Sequence, residues 1–182
     1  MHGATDICQD KEIDMANTTF SGPVRSESTI KAVSKNATTG VITEVTTYGG
    51  APVALGDEDK TLDNATHSGR VLVVPAVTAN RTITLPSPVA GANFKLIYGG
   101  AATETENLII DSGSDTNFFI GGIQHLDTNA DNVAVYSDGN SNSKITLVDF
   151  GAMEINITAK DSTNWYVWGN VLSATVPTFG DQ

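Results

Sequence analysis

The chain has 182 residues, 10 basic against 21 acidic, a net charge of −11 and a single cysteine, Cys8. A chain of this length buries roughly 70% of its unfolded surface and reads as one domain, or one domain with an arm, that needs no disulfide or metal to fold. The lone thiol excludes an internal disulfide framework or a thiolate cluster, and the acidic surface makes nucleic acid and anionic membranes poor partners.

Thr, Asn, Ser, Gly, Ala and Val dominate, while Leu, Lys and Arg are scarce, which favours strands and turns over helices. No apolar run approaches the roughly 18 residues of a membrane span. The opening MHGATDICQDKEID has no apolar h-region, so the expectation is a protein made inside a cell and not exported by the usual route.

Residues 1–14 are charged and unpatterned, and Met15 opens a stretch that itself reads like a protein start. Met15 is therefore a candidate native initiator. Residues 1–28 as a whole, with one aromatic, a Gly22-Pro23 step and Arg25, are expected to form an extended arm. Residues 29–69 are expected to hold a hairpin, with strands at Thr29–Ser34 and Val41–Tyr48, followed by an acidic loop, Gly56–Gly69.

The main body is expected over residues 70–171. Val71–Val77 is a continuous apolar run, consistent with a strand covered on both faces, and Pro75 points to an edge position or a bulge. Arg81–Leu85, Asn93–Tyr98, Asn107–Ile110, Asn117–Ile120, Val133–Tyr136 and Lys144–Val148 follow as short strands separated by Gly, Asp, Asn and Ser. This spacing predicts an all-β fold, an antiparallel β-sandwich or barrel of jelly-roll type with an N-terminal arm. No fixed internal period is present, which argues against a solenoid or propeller.

The body closes on a pair of strands. Met153, Ile155 and Ile157 alternate with Glu154, Asn156 and Thr158, Asp161–Asn164 supplies a turn, and Trp165-Tyr-Val-Trp168 returns. Trp165 and Val167 point one way, Tyr166 and Trp168 the other. Both faces of this strand carry large apolar groups, and only one can fill the subunit's own core. Residues 172–182 read as a C-terminal tail with Phe179 as its one large anchor.

Chemical signatures are weak. His2, His67 and His125 lie far apart and read as isolated surface residues, so no metal site is expected. The runs Asp127–Asn132 and Asp111–Asp115 resemble cation loops in composition, but the first has Asn132 where the sixth-position glycine belongs, and turn chemistry explains both. Glu104 and Glu106 have no evident acid–base partner, no nucleophile elbow occurs, and the Gly99-Gly100 and Gly121-Gly122 pairs lack the context of a phosphate loop. Five N-x-S/T triplets barely exceed chance. No catalytic residue, cofactor or metal is expected, and the chain reads as non-enzymatic.

Two stretches carry a resemblance. Thr18-Thr-Phe-Ser-Gly-Pro-Val-Arg-Ser26 resembles the opening of small virion structural proteins of marine tailed bacteriophages. TITLPSPVAGANFKLIY followed by DSTNWYVWG is similar to a layout common in phage head-decoration and fibre-like domains. The resemblance implies a decoration or cement protein, made in the host cytoplasm and seated as a homotrimer on the major capsid protein lattice of the virion. Under it, Phe20, Pro23, Val24 and Arg25 would form the capsid-binding arm, and Trp165, Tyr166 and Trp168 would support the core and the subunit seam. The alternative is a head-fibre or tail receptor-binding module that recognises host surface glycans, with the aromatic residues as a stacking platform. A surface adhesin is a third reading, which the missing export signal disfavours.

Overall fold

The computed structural model describes residues 32–45, 51–127 and 131–182. It divides into two compact units, Met1–Thr46 and Thr47–Gln182. In the first, β1 (Ala32–Lys35) and β2 (Ile42–Val45) form an antiparallel hairpin; residues 29–31 and 46–48 of the two expected strands lie outside the described residues. Its loop is fixed by Asn36, whose side-chain oxygen accepts the Thr38 and Thr39 amides, and by Gly40 at φ +70°.

The second unit is built from β3 (Val53–Ala54), β4 (Lys60–Thr61), β5 (Arg70–Val74), β6 (Arg81–Thr84), β7 (Asn93–Tyr98), β8 (Leu108–Asp111), β9 (Phe118–Asp127), β10 (Val133–Tyr136), β11 (Lys144–Leu147), β12 (Phe150–Ala159), β13 (Asn164–Ser173) and β14 (Thr178–Gly180). The strands form a β-sandwich. One sheet has the order β10-β9-β13-β12-β7-β5-β3, the other β14-β11-β8-β6-β4. Leu72, Phe94, Ile155 and Trp165 from the first meet Ile83, Ile110, Ile145 and Leu147 from the second in one apolar core.

The sheets are mixed rather than purely antiparallel. From β3 to β8 each strand crosses to the other sheet, so β3, β5 and β7 run parallel in one and β4, β6 and β8 run parallel in the other. Val53, Leu72 and Leu96 stack in register in one sheet, and Lys60, Ile83 and Ile110 in the other. This is a short coil, the local geometry of a solenoid. Loops of unequal length separate its passes, so no fixed sequence period marks it.

Four boundaries differ from the sequence reading. β9, expected only over Asn117–Ile120, runs on through Gly121 and Gly122 to Asp127. The acidic stretch Gly56–Gly69 belongs to the sandwich, because it contains β4 and buries Leu62. Asp57 anchors it by accepting from Arg81 Nε at 2.7 Å and Thr78 Oγ1 at 2.6 Å. β5 lies inside its sheet between β3 and β7 and simply ends before Pro75. The C-terminal residues are a strand as well as a tail. β14 pairs with β11, and the Gln182 side-chain amide donates to Asp111 Oδ1 at 2.7 Å.

The β12–β13 hairpin behaves as its alternation dictates. Met153, Ile155, Ile157 and Ala159 face inward, and so do Trp165, Val167 and Val171. The Asp161 carboxylate accepts the Thr163 and Asn164 amides and closes the turn. Those amide bonds, that of Thr163 first, hold its carboxyl below the ordinary carboxylate range. β13 then lies parallel to β9 along ten registered pairs.

Candidate functional site

The outer face of the seven-stranded sheet gathers the exposed large apolar side chains of β9, β10 and β13. Trp165 is fully enclosed and packs against Phe94 with ring centroids 5.8 Å apart, so it belongs to the core alone. Tyr166 and Trp168 point outward and remain 42% and 51% exposed. Tyr136, Leu126 and Leu172 join them on the same three strands. Strand alternation is the whole cause of this split, since a period of two places neighbours on opposite faces. Phe20, Pro23, Val24 and Arg25, the expected capsid-binding arm, lie outside the described residues.

Register arranges these side chains in rows. Tyr136 of β10 opposes Gly122 of β9, which opposes Trp168 of β13, which opposes Asn156 of β12. The next row reads Ala134, Gln124, Asn170 and Glu154. Gly122 leaves a gap in the first row, and a groove of about 450 Å³ opens there between the two aromatic residues. A second, shallower depression of about 270 Å³ lies at the Leu126–Leu172 end of the face. The charged pair on the face stands on β12, next to β13, and on β7 beyond it, where Lys95 Nζ meets Glu154 Oε1 at 2.6 Å and Glu154 opposes Asn170. That ammonium holds the Glu154 carboxyl below the ordinary range.

His67, His125, Glu104 and the Asp111–Asp115 run, weighed in sequence for chemistry, make contacts within the fold. His67 and His125 are both buried, not surface residues. His67 Nδ1 accepts the Asp63 amide at 3.0 Å, and His125 Nε2 lies 3.0 Å from the Ser173 carbonyl, a contact that requires the proton on Nε2. Glu104 has partners that the sequence did not reveal: it accepts the Val77 amide at 3.2 Å and the Tyr98 hydroxyl. Burial and that carboxylate push the Tyr98 hydroxyl up to about 12, so it stays a proton donor to the loop. Gly113 in the Asp111–Asp115 run has φ +88°, and its amide is accepted by Asp111, which is turn chemistry. Of Asp127–Asn132 only the ends are described, where Asn132 Oδ1 accepts the Asp127 amide. Among the described residues no group of three or more His, Cys, Asp or Glu side chains could hold a metal ion.

Two residues of the groove escape sequence reasoning. Tyr136 reads only as the end of a short strand, and the Gly121-Gly122 pair reads as a failed phosphate loop. The available signal is that glycine inside a strand marks a close approach. A Cβ on Gly122 would meet the Tyr136 ring at 2.5 Å, so the ring rests directly on it. No protein-family model matches the chain, and no curated protein matches it either.

Proposed function

We propose that this chain is a non-enzymatic structural protein of a bacteriophage particle, a decoration protein that joins the major capsid protein lattice as a homo-oligomer. The observation that carries the reading is the division of the chain into a compact sandwich from Thr47 onward and a separate leading unit. In this reading the leading unit carries the arm and the second unit is the body. The TTFSGPVRS stretch, which resembles phage virion proteins, lies in the leading unit. An arm that orders on binding covers more surface than a compact patch of equal length.

In this reading Phe20, Pro23, Val24 and Arg25 contact the shell, and the sandwich stands on the capsid surface as the working body of a closed oligomer, a trimer by preference. The test is co-sedimentation with undecorated capsids. The full chain is expected to bind, and a chain lacking residues 1–28 is expected to fold yet stay in the supernatant. Normal decoration by the truncated chain would remove the arm from the mechanism. Native mass measurement of the free protein tests the oligomer separately.

A further inference from the structure

One row of the outer face has the chemistry of a ligand site. Tyr136 and Trp168 flank Gly122 across three adjacent strands, two strand spacings or about 10 Å apart along the row. With no side chain at Gly122, backbone forms the floor of the groove between them. Tyr136 lies down on that floor and keeps 72% of its surface exposed; Trp168 keeps 51%. Gln124 and Asn170 in the neighbouring row add two carboxamides. The volume, about 450 Å³, lies within the range of small-molecule sites.

No residue lining the groove carries a charge, although the chain's net charge is −11. An anionic ligand finds no cation there, because the nearby lysine, Lys95, is already paired with Glu154. Gln124 Nε2 donates to the His125 carbonyl at 3.3 Å, but a wholly apolar occupant would still cover its Oε1 and the Asn170 carboxamide, at a cost of about 1–3 kcal/mol for each group left unsatisfied. The occupant that matches has apolar faces and many hydroxyls. Aromatic rings receive the first, and carboxamides, which both donate and accept, receive the second.

We propose that the Tyr136–Trp168 groove binds a neutral oligosaccharide, with pyranose C–H faces stacked on the two rings and hydroxyls hydrogen-bonded by Gln124 and Asn170. The groove is a shallow channel and not a closed pocket, so it takes a chain of sugar units in preference to a single one. This assignment goes beyond the capsid reading and stands without it. It gives Trp168 a ligand in place of the subunit seam.

The test combines an array of neutral, sialylated and sulfated oligosaccharides and monosaccharides with fluorescence titration of the full chain. The protein has only two tryptophans, and Trp165 is enclosed, so a sugar-dependent change in emission reports on Trp168. The expected result is retention of at least one neutral oligosaccharide, above its monosaccharides, with a shift in emission. Trp168→Ala and Tyr136→Ala should each weaken binding about tenfold or more, and Trp168→Phe, which keeps a ring, should lose less. The unfolding midpoint of each variant should stay close to that of the parent, because both side chains are exposed. Failure to retain any neutral oligosaccharide, a preference for acidic ones, or unchanged binding by Trp168→Ala would overturn the proposal. So would a Trp168→Ala variant that changes the native mass and leaves sugar binding intact, which would restore the residue to a subunit seam.

Discussion

Asp57 shows how single side chains hold the acidic part of this chain in the fold. Its carboxylate accepts from Arg81 and from both the hydroxyl and the amide of Thr78, and these bonds, that of Arg81 first, hold its carboxyl at about 2 against an ordinary 3.8. Asp138 is held at about 2 by Ser141 and the amides of its own turn. A folded value below the unfolded one stabilises the fold fully above the unfolded value. That contribution is lost as pH falls from about 4 towards 2. Asp57→Asn should therefore lower the urea midpoint clearly at pH 7, and the gap to the parent should narrow at pH 2. A gap independent of pH would show that the carboxylate charge is not what matters. Trp165 makes the opposite kind of contribution. Its indole is fully enclosed against Phe94, so Trp165→Ala should cost about 3–5 kcal/mol in equilibrium unfolding, where Trp168→Ala on the other face costs little.

At the scale of elements, β13 is the strand on which the fold turns, since it lies between β9 and β12 and joins a parallel to an antiparallel ladder. Its tight fit is visible at Gly169, where a Cβ would lie 2.1 Å from the Glu154 carbonyl oxygen and 2.8 Å from Ile155 Cα. Both are backbone atoms of β12 and cannot swing aside. Gly169→Ala should destabilise by about 1–3 kcal/mol, measured by denaturant unfolding, and a neutral result would mean that the two strands separate more readily than their register indicates. The inward and outward sides of β12 and β13 are legible in the sequence because alternation is a local property. The groove is not, because Tyr136 reaches Trp168 only through the order β10-β9-β13, and that order is set by strands far apart in the chain. The same reason hides the coil of β3 to β8, whose register links Val53, Leu72 and Leu96 over unequal loops. His125 was within reach of the sequence: it alternates with Ile123 on one strand and shares its buried face.

For the whole molecule, the decisive feature is where the core begins and ends. Among the described residues the buried apolar side chains run from Leu55 to Val171, and both sheets of the sandwich lie within the unit that starts at Thr47. The chain's last residues lock this unit from its own side, since β14 covers one flank of β11 and Gln182 reaches Asp111, Ser112 and Ser143. A chain reduced to residues 47–182 loses none of those core side chains. It should melt cooperatively within about 2 °C of the full chain and keep its near-ultraviolet aromatic signal, since changes that spare the core usually alter stability by little. Removing residues 174–182 should do the reverse. It uncovers the β11 edge, strips the ties at Asp111 and Ser143, and should lower the melting temperature and promote association through the bared strand. If instead the 47–182 chain lost its aromatic signal while the 1–173 chain kept it, the sandwich would depend on its leading unit. The arm would then be part of the body it is proposed to tether.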